Sequence, residues 1–193
     1  MTRCSMRQWA AAALLAALAG CGSSPKENFY TLGEPQGPLP ASNPSSSISV
    51  FVGPVTVPEA VDRTAMVLRT GPNSVDIDDT NRWAEPLKSA IPRVLAATLM
   101  RELGTPRVMA SRAGTPSSVD FRVAVEIQRF DSSLDRGATL DALWTVTPAK
   151  GSGARTGRTL AEEPATSRDP AGVAAAHSRA LERLGRDIAA AMR

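Results

Sequence analysis

The chain has 193 residues, of which 42% are hydrophobic, 4% aromatic and 21% charged. This length suits one domain with a short extension, and the apolar share excludes a chain that is disordered throughout. One histidine and two cysteines exclude a histidine-rich metal site and a disulfide framework. We therefore expect neither a metal nor a cofactor.

The first residues have the features of an export signal. Arg3 and Arg7 give it a positive start, and Trp9–Ala19 is an unbroken apolar stretch of 11 residues. That is the length of a signal-peptide core and is too short to span a bilayer. We predict that residues 1–20 are a signal peptide.

The string Leu-Ala-Gly-Cys at 18–21 resembles a lipobox. The thiol of Cys21 can receive a diacylglyceryl group, and cleavage before it frees an amine for a further acyl chain such as palmitate. We predict lipidation at Cys21; an ordinary secretory cleavage site is the alternative. Because Cys4 leaves with the signal peptide, the mature chain would hold no free thiol.

The predicted destination is the outer membrane, on its periplasm-facing side. Gly22 follows the lipidated cysteine, whereas Asp there is the usual signal for retention in the inner membrane. Loss of Arg3 and Arg7 leaves 20 basic against 19 acidic residues, a net charge of +1. With no basic run interleaved with aromatics, we expect no nucleic-acid partner.

Residues 21–47 are rich in serine and proline, a composition typical of a flexible tether. Within this lipidated tether, Phe-Tyr-Thr-Leu at 29–32 has high β-propensity and predicts a short edge strand. Residues 48–193 are then the predicted globular periplasmic domain.

Three strands are predicted in the first half of this domain. The strand at 48–52 is expected to stop at Gly53-Pro54, with a loop over 55–58. The strands at 64–69 and 75–78 enclose Gly-Pro-Asn and predict a hairpin.

Apolar residues at spacings of three and four predict a helix from Arg82 to Leu103, followed by Gly104. Pro86 would then lie in the first turn, where the missing N–H costs nothing. Pro92 is interior, so we expect a kink or an offset near Lys88.

Apolar and polar residues alternate more clearly in the second half of this domain. Residues 108–110 predict a weak strand, 120–130 and 139–147 an antiparallel hairpin, and 156–163 a further strand. Asp169-Pro170 has the pattern of an N-cap followed by a first-turn proline. A final helix should bury one stripe, which consists of Val173, His177, Leu181, Leu184, Ile188 and Met192.

No set of side chains assembles a convincing catalytic or metal site. His177 adjoins Ser178, but neighbouring helix residues point about 100° apart and cannot form a nucleophile–base pair. Asp76, Asp78 and Asp79 lack the glycine that an EF-hand requires at its sixth position. We assign no catalytic residue. Trp83 and Trp144 are either core residues or part of an exposed assembly surface.

Several strings resemble the ABC-type transport auxiliary lipoproteins, the PqiC-like family. The most specific is Arg-Trp-Ala-Glu-Pro-Leu at 82–87. It follows Val-Gly-Pro-Val at 52–55, and the Phe-Tyr-Thr-Leu island at 29–32 stands after the lipobox, as in the family. Arg-Phe-Asp at 129–131 and Ala-Leu-Trp at 142–144 add to the similarity.

The resemblance implies a single α/β (α+β mixed) domain, with a mixed sheet and two main helices packed on it. It implies a non-catalytic, outer-membrane lipoprotein that acts with an MCE-domain (mammalian cell entry) protein and ABC or inner-membrane transporter subunits. Such systems move lipids or other hydrophobic substrates between membranes. Some relatives resemble ring-forming proteins, so a homo-oligomer is a further candidate assembly.

The residues of this motif allow two roles, which the sequence leaves open. Arg82, Trp83, Glu85, Pro86 and Leu87 either build the fold or dock a partner. A second function also stays open, that of an envelope lipoprotein which scaffolds or activates another complex, such as a cell-wall synthase.

Overall fold

A computed structural model describes residues 26–35, 48–110, 118–151 and 153–193. The predicted signal peptide, the lipidation site Cys21 and most of the predicted tether lie outside the described residues.

Within those residues the chain forms eight strands, a short 3-10 helix and two α-helices. The strands are β1 (Asn28–Tyr30), β2 (Val50–Thr56), β3 (Ala65–Arg69), β4 (Val75–Trp83), β5 (Val108–Ala110), β6 (Phe121–Ser133), β7 (Gly137–Pro148) and β8 (Arg155–Glu163). The helices are α1 (Leu87–Leu103) and α2 (Pro170–Ala190), and the 3-10 helix spans Glu59–Val61.

All eight strands belong to one mixed sheet, which forks at β6. One edge of β6 pairs antiparallel with β7 along its whole length, and β8 follows antiparallel to β7. Two strands share the other edge of β6. Strand β2 pairs parallel with the first half of β6 and, on its own other side, parallel with β5. Strand β3 pairs parallel with the far end of β6. Beyond β3 lie antiparallel β4 and, at the edge, parallel β1.

Both helices share one core with a single face of this sheet. Strand β6 buries Val123, Val125 and Ile127, which alternate with exposed residues. A bulge between Ile127 and Arg129 then shifts the register, so Phe130 becomes the next buried apolar residue. The prediction of one α+β domain with a mixed sheet and two packed helices is confirmed.

The predicted stop of β2 at Gly53-Pro54 is wrong. The strand continues to Thr56, because a bulge between Val52 and Val55 absorbs the two residues and pairing with β6 resumes at Val55. An exposed proline is tolerated there, since a bulge leaves its residue outside the ladder. The predicted hairpins β3–β4 and β6–β7 are both present.

The predicted helix start at Arg82 is also wrong. Arg82 and Trp83 end β4, which runs past its predicted end at Asp78, and α1 begins at Leu87. Pro86 is the N-cap, with φ −56° and ψ 137°, and therefore does not occupy the first helical turn. The chain stays extended here because the backbone N–H of Trp83 donates to the carbonyl of Thr64.

The end of α1 and the start of α2 lie where the sequence predicts them. Helix α1 continues through Pro92 and closes at Gly104, whose φ of 62° is left-handed. At the start of α2, the carboxylate of Asp169 accepts from the backbone N–H of Gly172, and Pro170 fills the first position. All six residues of the predicted stripe are buried, although Met192 lies beyond the end of α2 at Ala190.

Candidate functional site

Residues 82–87, called here the Trp83 motif, lie where β4, α1 and the N-terminal segment 26–35 meet. Trp83 is 4% exposed and Leu87 is 1% exposed, so both belong to the core. The Trp83 ring contacts Phe130 and His177 edge-on, with centroids 6.1 and 6.0 Å away. These two motif residues therefore cannot offer a docking surface in this fold.

His177 lies flat against Phe130 inside the same cluster. The rings are 3.7 Å apart with an interplanar angle of 7°, and His177 Nε2 is 2.9 Å from Ser132 Oγ. Burial lowers the pKa of His177 to about 3, although Asp131 opposes this by favouring the charged form. At neutral pH the imidazole is uncharged and fills the core.

Ser132 and His177 form a pair that sequence reasoning missed, because 45 residues separate them. A serine beside a histidine is the geometry of an activated nucleophile. Here the serine residue is 3% and the histidine residue 0% exposed, and no described polar group pairs with His177 Nδ1. A substrate cannot reach this pair, and the basicity of His177 is lowered. Ser132 and His177 therefore contribute to core packing and are not suited to acyl transfer.

Arg93 of α1 binds the motif to the N-terminal segment. Its guanidinium donates to Glu85 at 2.7 and 3.2 Å, to Glu34 at 2.6 Å and to the carbonyl of Leu32 at 3.1 Å. Desolvation acts against the charged guanidinium, but these carboxylates outweigh it and raise the pKa of Arg93. Glu85 of the motif is thus one carboxylate partner of Arg93 in this set of contacts, called here the Arg93 clamp.

Arg82 makes a second connection to the same segment. Its guanidinium donates to Glu27 at 3.1 Å and to Thr64 Oγ1 at 2.8 Å. In the ladder, Asn28, Phe29 and Tyr30 pair with residues 81–83, and the N–H of Ala84 donates to the carbonyl of Tyr30 at 2.8 Å. The motif and the residues beside it therefore hold the N-terminal strand β1 at the edge of the sheet.

The segment continues into the core after β1. Leu32 is 1% exposed, and the backbone N–H of Gly33 donates to Ser178 Oγ of α2 at 2.9 Å. Between this segment and α2 lies a groove of about 480 Å³, called here the N-terminal groove. Its lining includes Phe29, Ala171 and Ala175.

The sheet face away from the helices is open. Leu143 and Leu160 are 41% and 51% exposed there, and Arg158 makes a bidentate pair with Asp141 at 2.6 and 2.8 Å. The hydrogen bonds from Arg158 hold the pKa of Asp141 below its usual value. Trp144 is half-buried on the helix side, where its Nε1 donates to Thr159, so it packs with the core.

The acidic residues of β4 shape the backbone. Asp78 accepts from the backbone N–H groups of Thr80 and Asn81 and from both their side chains. Burial tends to raise the pKa of Asp78, but these hydrogen bonds outweigh it and lower the pKa. Across the described ranges, no three His, Cys, Asp or Glu side chains are grouped so that they could hold a metal ion.

The chain belongs to the family of ABC-type transport auxiliary lipoprotein components, whose profile matches residues 30–189. That range begins at the last residue of β1 and includes the Trp83 motif, all of α1 and α2 up to Ala189. The resemblance predicted from residues 82–87 is thereby confirmed. Membership makes the protein an auxiliary transport component of the cell envelope, which accords with a role without catalysis of its own.

Solved structures share the fold. An uncharacterised protein superposes with a TM-score of 0.66 at 18% identity, covering 87% of this chain and 99% of that chain. A protein from Xanthomonas campestris gives 0.65 at 19% identity, with 86% and 94% covered. At such identities the likeness establishes the fold alone. No curated protein matches the chain.

Proposed function

We propose that this protein is anchored by acyl chains on Cys21 in the outer membrane and faces the periplasm. There it serves, without chemistry of its own, as an auxiliary component of an ABC/MCE-type system that moves lipids or other hydrophobic substrates between membranes. The family match over residues 30–189 carries the proposal. The lipobox at 18–21 and the absence of Asp after Cys21 support the anchor and its destination.

The proposed attachment is by fatty chains. None of the helices among the described residues is both long and apolar enough to cross a bilayer. Each acyl CH₂ buried in a membrane contributes about 0.8 kcal/mol, so two or three chains hold a protein durably where one does so only marginally. A diacylglyceryl thioether with an added amide-linked chain would meet this requirement.

The proposed role is binding. The partners we propose are an MCE-domain protein, inner-membrane transporter subunits and further copies of the chain. Among the residues that the structure describes, the polar pair best suited to catalysis, Ser132 with His177, is closed to a substrate. Exposed apolar side chains on the open sheet face, such as Leu143 and Leu160, are available to another molecule.

Mass spectrometry of the native amino terminus tests the anchor. We expect a chain that begins at Cys21 and carries acyl chains, recovered in the outer-membrane fraction. Cys21→Ala should release the protein from that fraction, because the acceptor thiol is lost. An unmodified native terminus in the soluble fraction would contradict the proposal.

Photo-crosslinking in cells tests the partner. We would place the crosslinking side chain at Leu143 on the open sheet face and, as a matched comparison, at exposed Arg183 on α2. Capture of an MCE-domain protein or a transporter subunit from either position supports the proposal. Capture of a cell-wall synthase would favour the alternative, and silence at both positions would count against transport.

A further inference from the structure

The position of β1 limits how far the domain lies from its anchor. Eight peptide steps separate Cys21 from Phe29, and a fully extended chain spans at most ~3.5 Å per residue, so these residues lie within about 28 Å. If the chain were free as far as Val50, 29 steps away, the limit would be about 100 Å. Docking of the N-terminal segment therefore brings one edge of the sheet close to the lipid-bearing residue.

This docking depends on several independent contacts. Arg93 holds the carbonyl of Leu32 and the carboxylate of Glu34, Leu32 is inserted in the core, and the N–H of Gly33 is bound by Ser178. Release of the segment would expose Leu32 and break charge-assisted hydrogen bonds, which are stronger than neutral ones. The short connection to the anchor is thus maintained by the fold.

The surface at this edge carries exposed apolar side chains beside the charged residues Glu34, Arg179 and Glu182, which also line the N-terminal groove. Phe29 is 60% exposed, the largest exposed fraction among the large hydrophobic side chains of the described residues. Its neighbours across the N-terminal groove include Ala171 and Ala175 of α2, both exposed. An exposed phenylalanine beside small apolar residues is stabilised when it enters the boundary between headgroups and acyl chains, because its apolar surface leaves water.

We propose that the N-terminal groove face, led by Phe29, rests on the phospholipid surface in which Cys21 is anchored. This inference rests on the proposed lipid anchor. A lipid surface is the occupant favoured here because the chain length itself holds Phe29 within about 28 Å of the acylated cysteine. Strand β8 ends the sheet at its opposite side from β1, so Leu160 lies on the edge strand remote from the proposed bilayer contact.

The test uses the acylated chain reconstituted in vesicles of phosphatidylethanolamine and phosphatidylglycerol. Single thiols are introduced as Phe29→Cys, Ala175→Cys and, as the matched exposed control, Leu160→Cys. The predicted mature chain holds no other free thiol. Each thiol then carries an environment-sensitive fluorophore, and flotation of the vesicles is measured in the same samples.

We expect the label at position 29 to emit at shorter wavelength, and aqueous iodide to quench it at least about twofold less than the label at 160, because interfacial groups lie ~5–10 Å deep. The label at 175 should change in the same direction, and it decides the matter if Phe29→Cys does not fold. Equal quenching at 29 and 160 on floating protein would overturn the inference and leave the anchor standing.

Two further outcomes would also overturn it. Protection at position 29 that rises with the protein-to-lipid ratio would assign this face to a second copy of the chain. Protein that fails to float with the vesicles would remove the anchor, and with it both the inference and the proposed attachment.

Discussion

His177 stacks on Phe130 with ring centroids 3.7 Å apart, and its Nε2 lies 2.9 Å from Ser132 Oγ. The chain's single histidine is therefore a core residue that stays uncharged at neutral pH. Because burial lowers its pKa to about 3, its protonation is linked to unfolding. This linkage gives the stability a pH dependence that can be measured.

We predict that the free energy of unfolding decreases as the pH falls below about 6.5. Unfolded His177 binds its proton near pH 6.5 and folded His177 near pH 3, so between these values the unfolded state binds more protons. Between pH 7 and pH 5 the loss from this residue should be about 2 kcal/mol. Urea unfolding at the two pH values measures it.

His177→Gln is the matched control, because its amide can still bond Ser132 but does not titrate. The loss between pH 7 and pH 5 should nearly vanish in this variant. The folded pKa of Asp131 is lowered by hydrogen bonds from Arg69 and Arg129, which outweigh burial, so its stabilising effect is lost only in more acidic solution. An equal loss in both proteins would contradict the assignment to His177.

Trp83→Ala should destabilise the domain by about 3–5 kcal/mol, the usual range for removing a large buried aromatic side chain. The ring is 4% exposed and touches Phe130 and His177. Leu160→Ala, at a side chain that is 51% exposed, should stay within about 0.5 kcal/mol. Chemical denaturation compares the two. A near-neutral Trp83→Ala that lost only partner binding would make this residue a docking residue.

Arg93→Met should loosen the N-terminal strand. The substitution removes the hydrogen bonds to Glu85, Glu34 and the Leu32 carbonyl, at a cost of about 1–2 kcal/mol. The backbone N–H of Ala84, which donates to Tyr30, should exchange with deuterium faster. Hydrogen–deuterium exchange resolved at this amide gives the measurement.

Lys88→Met on the same helix is the control for Arg93. Its ammonium pairs with Asp62 at 2.5 Å, but the lysine side chain is 51% exposed, so we expect a change within about 0.5 kcal/mol. Exchange at Ala84 should stay at the native rate. The clamp would be disproved if the two variants released β1 equally.

Gly185→Ala should disturb the contact between α1 and α2. A Cβ at position 185 would lie 2.5 Å from Thr98 Cγ2 and 2.8 Å from Thr98 Cβ, and such overpacking costs about 1–3 kcal/mol. In a Thr98→Ala background the added cost should be smaller, because the methyl group is gone. A double-mutant cycle by urea unfolding measures the coupling, and strictly additive effects would show that the two positions do not interact.

Local pattern was sufficient for most of the elements. The alternation in Phe121–Ser133, the stripe of α2 and the cap formed by Asp169 and Pro170 all follow from rules that act within a few residues. A half-buried strand must alternate and a half-buried helix must repeat near every 3.6 residues, so burial on one face is written into the sequence. The family strings at 82–87 added the fold class.

Pairing over long distances decided the rest. Trp83, Leu87 and Ile91 have helical spacing, yet Trp83 ends a strand because its backbone bonds to Thr64, 19 residues earlier. Likewise β2 continues past Pro54 because β6 offers a partner at Val125. The contacts of Ser132 with His177 and of Arg93 with residues 32–34 also join distant segments. Such contacts depend on which distant surfaces pack together in the folded chain. The local periodicity of the sequence carries no information about that packing.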